Sequence, residues 1–344
     1  MWFQQLTPSW GSNMIRTAVI GVGSMGLNHA RVYSELAGVE LVGVSDVSRE
    51  RAEFCADKYA TRAFSDHRVL LENEKPEAVS ICVPTSQHEQ MASDALRAGA
   101  HVLVEKPITA TLEEGRRLIE LARQLQRQLM VGHIIRFNPA IRALKEQLQA
   151  DKLGRIIQIF CRRAGPFPAR IRDVGVVVDL APHDIDIMRF ITGKDPIRVF
   201  AETEQHIHTD HEDLLFAILR FPDNITGALE INWLTPTKLR EVLVLGERGL
   251  FRVDDLLQDL YFYENSQFNE EIFSQLRTIK GVSEGSMTRF ALNRVEPLKA
   301  ELEAFITSIR EDKPVPVTGE DGIAALRLAL ALVESGKTHQ VIEV

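Results

Sequence analysis

The chain has 344 residues, 45% hydrophobic and 26% charged, which suits about two globular domains. Its formal net charge of −8 disfavours DNA or RNA, whose phosphates bind basic surfaces. The sequence has no apolar run of the roughly 18 residues that a membrane span needs. Three separated cysteines, Cys55, Cys82 and Cys161, predict no disulfide framework and are typical of a reducing, cytoplasmic setting.

Residues 1–13 lack the features of a signal peptide, and we treat them as an extension before Met14. From there, short β-branched runs alternate with helical segments. Strands are predicted over 15–20, 40–46, 77–83, 101–104 and 130–134, and helices over 24–36, 49–59, 87–98 and 112–126. This alternation indicates βαβ units and therefore a doubly wound parallel sheet of the Rossmann type over residues 14–135.

The pattern changes after about residue 137. Helices are predicted over 139–148, from near Asp179, and over 296–309 and 322–335. Strands are predicted over 156–163, 197–206, 214–221, 226–233, 240–245 and 249–253, and a polar loop over 264–290. We therefore expect residues 136–344 to form an α+β domain with an open, largely antiparallel sheet, which binds substrate and mediates oligomerisation.

A glycine-rich motif follows the first predicted strand and opens the first helix. Its residues are Gly21, Val22, Gly23, Ser24, Met25 and Gly26. G-x-G-x-x-G in this context is typical of a dinucleotide site, with the pyrophosphate at the helix N-terminus. Asp46 ends the second strand and can accept hydrogen bonds from the adenosine ribose, which favours NAD. Arg49 and Arg51 follow it and leave NADP open.

Two further segments carry groups suited to proton transfer. Lys106 lies directly after a predicted parallel strand, where ligands of such sheets gather, and Pro107 restricts its backbone. Asp179 and His183 are four residues apart on a predicted helix and so share one face. A carboxylate there can orient the imidazole and raise its basicity. We expect no metal, because no other Cys, His or Glu cluster supports one.

Taken together, these residues resemble the Gfo/Idh/MocA oxidoreductases, relatives of glucose–fructose oxidoreductase and inositol dehydrogenase. The resemblance runs from residue 15 to about 340 and is carried by GVGSMG, Asp46, Val83-Pro84-Thr85 with His88, Glu105-Lys106-Pro107 and Asp179-x-x-x-His183-Asp184. The sequence departs from the family pattern at Val176-Val177-Val178, where only Gly175 remains of a glycine run, and at Pro182.

The resemblance implies an NAD-dependent oxidation of a sugar or cyclitol hydroxyl by a homodimer or homotetramer. Either His183 or Lys106 would take the hydroxyl proton, Lys106 would polarise the reacting oxygen, and Asp179 would orient His183 or bind substrate. The same resemblance places Pro84, Thr85 and His88 near the nicotinamide ribose and has Glu105 contact a cofactor ribose.

An arginine-rich segment suggests an anionic substrate. Arg162, Arg163, Arg170 and Arg172 lie within 12 residues of an otherwise acidic chain. Because arginine matches phosphate oxygens bidentately, this segment favours a nucleotide sugar over a neutral hexose or inositol. Arg136 and Asn138, after the last Rossmann strand, are further candidate contacts to the sugar or diphosphate.

The segments HIIRFNP and GPFPARIRDVGVVVDLAPHDIDIMR resemble the family branch that acts on UDP-N-acetylglucosamine. That resemblance implies oxidation at C3 to a 3-keto sugar, which a pyridoxal-phosphate aminotransferase then aminates for diamino-sugar lipid A. An inositol or neutral-sugar dehydrogenase, a dehydrogenase of UDP-N-acetylglucosaminuronate and an NAD-binding regulator without turnover are the alternatives.

Overall fold

The computed structural model describes residues 14–168, 174–208, 210–266 and 283–344. The chain forms two compact units. The first runs to Gly132 and includes Leu298–Glu320, and the second consists of His133–Pro297 and Asp321–Val344. Within the described residues, no helix combines the length and apolar character needed to cross a bilayer.

The first unit is built on a parallel sheet. Its strands are β1 (Ile15–Ile20), β2 (Val39–Ser45), β3 (Ala63–Phe64), β4 (Ala78–Ile81), β5 (His101–Glu105) and β6 (Leu129–Gly132). Helices α1 (Ser24–Glu35), α2 (Arg49–Tyr59), α3 (His67–Glu74), α4 (His88–Arg97) and α5 (Leu112–Gln124) alternate with them. The sheet order is β3-β2-β1-β4-β5-β6, which confirms the doubly wound Rossmann fold.

The second unit contains the larger sheet. Its strands are β7 (Ile156–Pro166), β8 (Arg198–Glu204), β9 (Leu214–Arg220), β10 (Thr226–Asn232), β11 (Leu234–Gly246), β12 (Gly249–Asp254), β13 (Asp259–Ser266), β14 (Ser283–Arg289) and β15 (Ile342–Glu343). The order among the described residues is β14-β13-β12-β11-β7-β10-β9-β8-β15, and the β7–β10 pair is parallel. The largely antiparallel sheet predicted from the sequence is confirmed.

Helices α6 (Pro139–Gln149) and α7 (Val176–Thr192) pack on one face of this sheet. Strand β9 shows the resulting asymmetry. Leu215 and Leu219 are buried on the helix side, whereas Phe216 and Ile218 are 50% and 54% exposed on the other. The sheet is therefore covered on one face and leaves apolar side chains on the opposite face, as in many antiparallel sheets.

The prediction of a polar loop over 264–290 was wrong for those of its residues that the structure describes. Strand β13 extends to Ser266, and β14 pairs with it antiparallel. In β13, Leu260 and Phe262 point inward, a period-two pattern that marks a strand. Strand β14 is a polar strand at the edge of the sheet, and such a strand carries no hydrophobic period that could reveal it.

Helix α7 begins at Val176, three residues before the expected start near Asp179. Its first turn is capped by another segment: the Val176 N–H donates to the Glu212 carbonyl at 2.9 Å, and the Val177 N–H donates to Glu212 Oε1 at 3.3 Å. Both valines are fully buried, so packing overrides their preference for strands. Asp179 is therefore not the cap but lies in the first turn.

Helices α8 (Pro297–Arg310) and α9 (Gly319–Thr338) complete the chain. The expected boundary after residue 135 left the whole C-terminal part in the second domain, whereas 298–320 groups with the first unit. The Val131 N–H donates to the Val317 carbonyl at 3.2 Å, and Phe305 of α8 is fully buried. The segment thereby extends the hydrogen bonding of β6.

Candidate active site

The glycine loop leaves no room for side chains at two positions. Gly21 has φ +85°, and a Cβ there would lie 2.7 Å from the Cys82 carbonyl oxygen. A Cβ on Gly26 would lie 1.8 Å from the Gly21 carbonyl oxygen. Gly23 differs, because nothing lies within 4 Å of its Cβ position. The backbone is therefore open at Gly23, where a pyrophosphate has to approach closely.

Helix α1 begins at Ser24, and no side chain caps its N-terminus. Ser24 is exposed and Met25 is half-buried. The first backbone N–H groups of the helix therefore remain available to an anion, with the positive end of the helix dipole behind them. These features fit the pyrophosphate of a dinucleotide.

Asp46 follows β2 and is tightly hydrogen-bonded. Its Oδ2 accepts from the Val22 N–H at 3.0 Å, and its Oδ1 accepts from the Ser48 N–H at 2.8 Å and from Arg51 Nη2 at 2.8 Å. Burial disfavours the charged form, but these hydrogen bonds outweigh it and hold the pKa of Asp46 below its usual value. Asp46 is thus a fixed carboxylate bonded to the glycine loop.

Pro84 and Thr85 lie in the loop after β4, where Thr85 begins a single 3₁₀ turn. His88 begins α4 and is 1% exposed. Its Nδ1 lies 2.8 Å from the Pro107 carbonyl oxygen and its Nε2 lies 2.9 Å from the Val83 carbonyl oxygen. Burial lowers the pKa of His88 despite these carbonyls. The ring links the loops after β4 and β5, and its expected place beside the cofactor stays a prediction.

Lys106 lies directly after β5, and its peptide bond to Pro107 is cis. Glu105 Oε2 accepts from the Lys106 backbone N–H at 3.2 Å, and Glu105 Oε1 lies 3.0 Å from His29 Nε2. Burial would raise the pKa of Glu105, but the His29 hydrogen bond and the Lys106 charge lower it overall. Glu105 therefore bonds to buried His29, and its expected contact with a cofactor ribose stays a prediction.

In the second unit, α7 carries Asp179 in its first turn and His183 one turn later. The spacing of four residues keeps them on one face, as predicted. Pro182 lies inside the helix and is buried, so the departure from the family pattern is accommodated without ending α7. Gly175 precedes the helix, and a Cβ there would lie 2.1 Å from Glu212 Oε1, the atom that accepts from Val177.

Three residues expected to bind substrate are engaged inside the second unit. Arg163 is bidentate to Asp184, with distances of 2.8 and 2.9 Å. Arg136 is bidentate to Asp186 at 2.7 and 2.6 Å. Asn138 caps α6 by accepting from the Ala140 N–H at 2.9 Å, and its amide also donates to Asp255.

The two arginines are buried, and their carboxylate partners raise their pKa values although burial alone would lower them. Arg162 instead pairs with Glu230 and is half-exposed. Arg170 and Arg172 lie outside the described residues. The described part of the arginine-rich segment therefore serves internal ion pairs.

Arg240 of β11 is a residue that the sequence reasoning missed. Its Nη1 donates to the carbonyls of Ala164 and Leu239 at 2.7 and 2.8 Å. Burial and the charge of Arg163 lower its pKa to about 10, although the charges of Asp184, Asp255 and Asp179 oppose that shift. Within the described residues, Arg240 makes no direct salt bridge, although these three carboxylates act on its charge.

Two family models match the chain. Residues 15–133 match the NAD-binding Rossmann fold of the GFO/IDH/MocA oxidoreductase family, and residues 145–344 match the C-terminal α/β domain of that family. The chain belongs to the Gfo/Idh/MocA oxidoreductase family. It is an oxidoreductase of CH–OH groups and binds NAD, as the sequence predicts.

Relatives within the Gfo/Idh/MocA family differ in substrate. The chain is 32% identical over 316 residues to UDP-N-acetylglucosamine 3-dehydrogenase of Acidithiobacillus ferrooxidans, covering 92% of this chain and 95% of the relative. A solved structure of that enzyme superposes with a TM-score of 0.82 at 31% identity, covering 94% and 98% of the two chains. Myo-inositol 2-dehydrogenase of Thermotoga maritima is 26% identical, covering 93% and 96%.

Proposed function

We propose that this enzyme oxidises the C3 hydroxyl of a UDP-linked N-acetylated sugar, UDP-N-acetylglucosamine, to the 3-keto form. The observation that carries the proposal is the 32% identity to a UDP-N-acetylglucosamine 3-dehydrogenase across 92% of the chain. Arg240 supports it independently, because a half-buried arginine without a carboxylate partner suits an anionic substrate.

The proposed chemistry uses Lys106, Asp179 and His183. NAD, when bound, supplies the hydride acceptor. His183 takes the hydroxyl proton while the same carbon loses hydride. Asp179, on the same face of the helix, orients the imidazole. Lys106, fixed at the end of β5, holds the reacting oxygen and stabilises its developing negative charge. The balanced products are a ketone, a reduced nicotinamide and one proton.

Arg240 is assigned to the diphosphate. The pKa of about 10 keeps its guanidinium charged at neutral pH. The two carbonyls that bind Nη1 fix the side chain and leave the other nitrogens to a ligand. Arginine forks pair with two phosphate oxygens at once, so one such residue discriminates a nucleotide sugar from a neutral cyclitol.

An inositol dehydrogenase is the second candidate, because the Thermotoga maritima relative is 26% identical over 335 residues. A neutral cyclitol needs no cation such as Arg240. The two candidates therefore differ in whether activity depends on that residue.

The test is a substrate panel with NAD, followed by NADH absorbance. UDP-N-acetylglucosamine should give the highest kcat/KM, above UDP-N-acetylglucosaminuronate, myo-inositol, scyllo-inositol and free N-acetylglucosamine. Lys106→Met is the inactive control, and Lys313→Met, an exposed lysine of the same unit, is the matched active one. Preference for an inositol would reject the nucleotide-sugar substrate, and absence of NADH formation with every compound would reject the proposed oxidation.

We also propose that the 3-keto product passes to an aminotransferase of a diamino-sugar lipid A pathway and that the enzyme is a homo-oligomer. A ketone next to an acetamido carbon is a ready substrate for transamination. The exposed Phe216 and Ile218 on the open sheet face support association of subunits. Analytical ultracentrifugation tests the oligomer, and a coupled assay with a pyridoxal-phosphate aminotransferase tests the onward reaction.

A further inference from the structure

Lys106 lies between two residues that are each anchored by a buried histidine. On one side, Glu105 bonds to His29, and on the other, the Pro107 carbonyl bonds to His88. His29 is 0% exposed and His88 is 1% exposed. We propose that His29 and His88 are positioning residues that fix the backbone of Lys106 from its two neighbours.

The first anchor is a chain of buried hydrogen bonds. Tyr33 Oη lies 2.8 Å from Ser80 Oγ, Ser80 Oγ lies 3.0 Å from His29 Nδ1, and His29 Nε2 lies 3.0 Å from Glu105 Oε1. Every group is satisfied when Tyr33 donates to Ser80, Ser80 donates to His29 Nδ1, and His29 Nε2–H donates to Glu105. Glu105 then accepts from His29 through one oxygen and from the Lys106 N–H through the other.

Because the carboxylate of Glu105 is buried, it depends on its hydrogen bonds to His29 and to the Lys106 backbone. A charged group removed from water requires its partners, so loss of either hydrogen bond is costly. Other titratable groups that interact with it are Cys82, after β4, Glu301, on α8, and His88. Burial and the nearby Glu105 raise the pKa of Glu301 well above its usual value, which favours the neutral form of Glu301 beside Glu105.

The second anchor joins two loops. His88 places Nδ1 2.8 Å from the Pro107 carbonyl oxygen and Nε2 2.9 Å from the Val83 carbonyl oxygen, so one ring spans the segments after β4 and β5. A neutral imidazole carries a single N–H, and the proposal places it on Nδ1, where it donates to the Pro107 carbonyl. The contact that bears on Lys106 is the one at Nδ1, because Pro107 is its neighbour. The contact at Nε2 bears on the loop that holds Pro84 and Thr85.

Because the two histidines use different ring nitrogens, replacement by Asn or by Gln should have opposite effects at His29 and at His88. The amide of Asn replaces the Nδ1 side of an imidazole, and the amide of Gln replaces the Nε2 side. His29→Gln therefore keeps the donor to Glu105, whereas His29→Asn loses it. His88→Asn keeps the donor to Pro107, whereas His88→Gln loses it.

The inference rests on the proposed catalytic role of Lys106. We expect kcat to fall about 100-fold in His29→Asn and His88→Gln, the loss typical of a misplacement of about 1 Å, and far less in His29→Gln and His88→Asn. The Kd for NAD should change little in the two His29 variants, because the glycine loop and Asp46 are intact. His101→Asn and His101→Gln, at the opposite end of β5, serve as matched controls and should keep wild-type kcat.

Thermal unfolding of all variants separates positioning from stability. The inference would be overturned if the kcat values of the four variants ranked as their Tm values do, or if all four were equal. It would also be overturned if the expected difference between Asn and Gln were reversed at either histidine. If one pair fails to fold, the order within the other pair decides. If Lys106→Met retains full turnover, the proposed role of Lys106 fails instead, so the two failures are distinguishable.

Crystal structures of the four variants with NAD give a readout that does not depend on the substrate. Lys106 Nζ should be displaced by about 1 Å in His29→Asn and His88→Gln, and should keep its position in His29→Gln and His88→Asn. Equal positions in all four would contradict the inference even if no sugar in the panel is oxidised.

Discussion

Arg51 binds the carboxylate of Asp46, with Nη2 2.8 Å and Nε 3.2 Å from Oδ1. Arg51, which could have bound the 2′-phosphate of NADP, is therefore paired with Asp46, whose carboxylate repels that phosphate. The sequence left both possibilities open, since it placed an acid and two arginines within six residues. This contact favours NAD over NADP.

Replacing Asp46 should weaken this preference. In Asp46→Ala, Arg51 loses its carboxylate partner and the ribose loses an acceptor, so the ratio of kcat/KM for NADP to that for NAD should rise about 10–100-fold. The ratio is the useful measurement, because damage to the glycine loop through Val22 affects both cofactors equally. Asp57→Ala removes the same charge from the exposed side of α2 and should leave the ratio unchanged.

Arg240 should determine affinity for the nucleotide part of the substrate. Arg240→Gln removes the charge and should raise KM for UDP-N-acetylglucosamine about 10–100-fold, with partial recovery in Arg240→Lys. Steady-state kinetics measure the effect. Arg252→Gln, on neighbouring β12, where Arg252 is paired with Glu241 at 2.6 Å, should have little effect. An unchanged KM in Arg240→Gln would remove Arg240 from the site.

The Arg163–Asp184 pair should contribute to stability. Arg163→Met leaves the Asp184 carboxylate buried without its main partner, so the free energy of unfolding should fall by about 3–5 kcal/mol. Arg162→Met breaks the adjacent, half-exposed pair with Glu230 and should cost less than about 1 kcal/mol. Urea unfolding distinguishes them, and equal losses would contradict the assignment of Arg163 to an internal ion pair.

Glu301 should make the protein less stable as the pH rises. Neither carboxyl oxygen has a hydrogen-bond partner within the described residues, and its raised pKa means that the folded state keeps a proton that the unfolded state releases. Stability should therefore fall from about pH 4.3, the ordinary value of a glutamate, upward to the folded pKa, by as much as about 1.4 kcal/mol per pH unit.

The variant Glu301→Gln should remove this slope, so its free energy of unfolding should exceed that of the wild type at pH 7 and match it more closely at pH 4. Urea titrations across pH 4–8 measure the difference. Glu303→Gln, an exposed change on the same helix, should leave the slope intact. A slope that survives in Glu301→Gln would assign the proton to another group.

The Rossmann unit was predictable because its determinants are local. Strand β1 and helix α2 have the expected bounds, Ile15–Ile20 and Arg49–Tyr59, since β-branched runs and helical periodicity act within a few residues. Strand β3 has two residues and α3 has eight, too short for a periodic pattern, and both were missed.

The site was less predictable because its decisive relations are long-range. Arg163 and Asp184 are 21 residues apart, and their sequence carries no sign that they pair. From the sequence, Arg163 and Arg240 are equally suited to bind phosphate, yet of these two only Arg163 forms an ion pair with a carboxylate among the residues that the structure describes. Likewise, the bond from His29 to Glu105 spans 76 residues, and no local pattern could have revealed it.

Because residues 298–320 return to the first unit, that unit cannot finish folding early in synthesis. A ribosome that has produced the chain up to Gly132 has made all six parallel strands but not α8, which supplies buried Leu302 and Phe305. The NAD-binding unit can be completed only after most of the second unit has emerged. A gene fragment ending at residue 132 would therefore encode an unfinished core, and exchange of this unit between relatives needs three junctions.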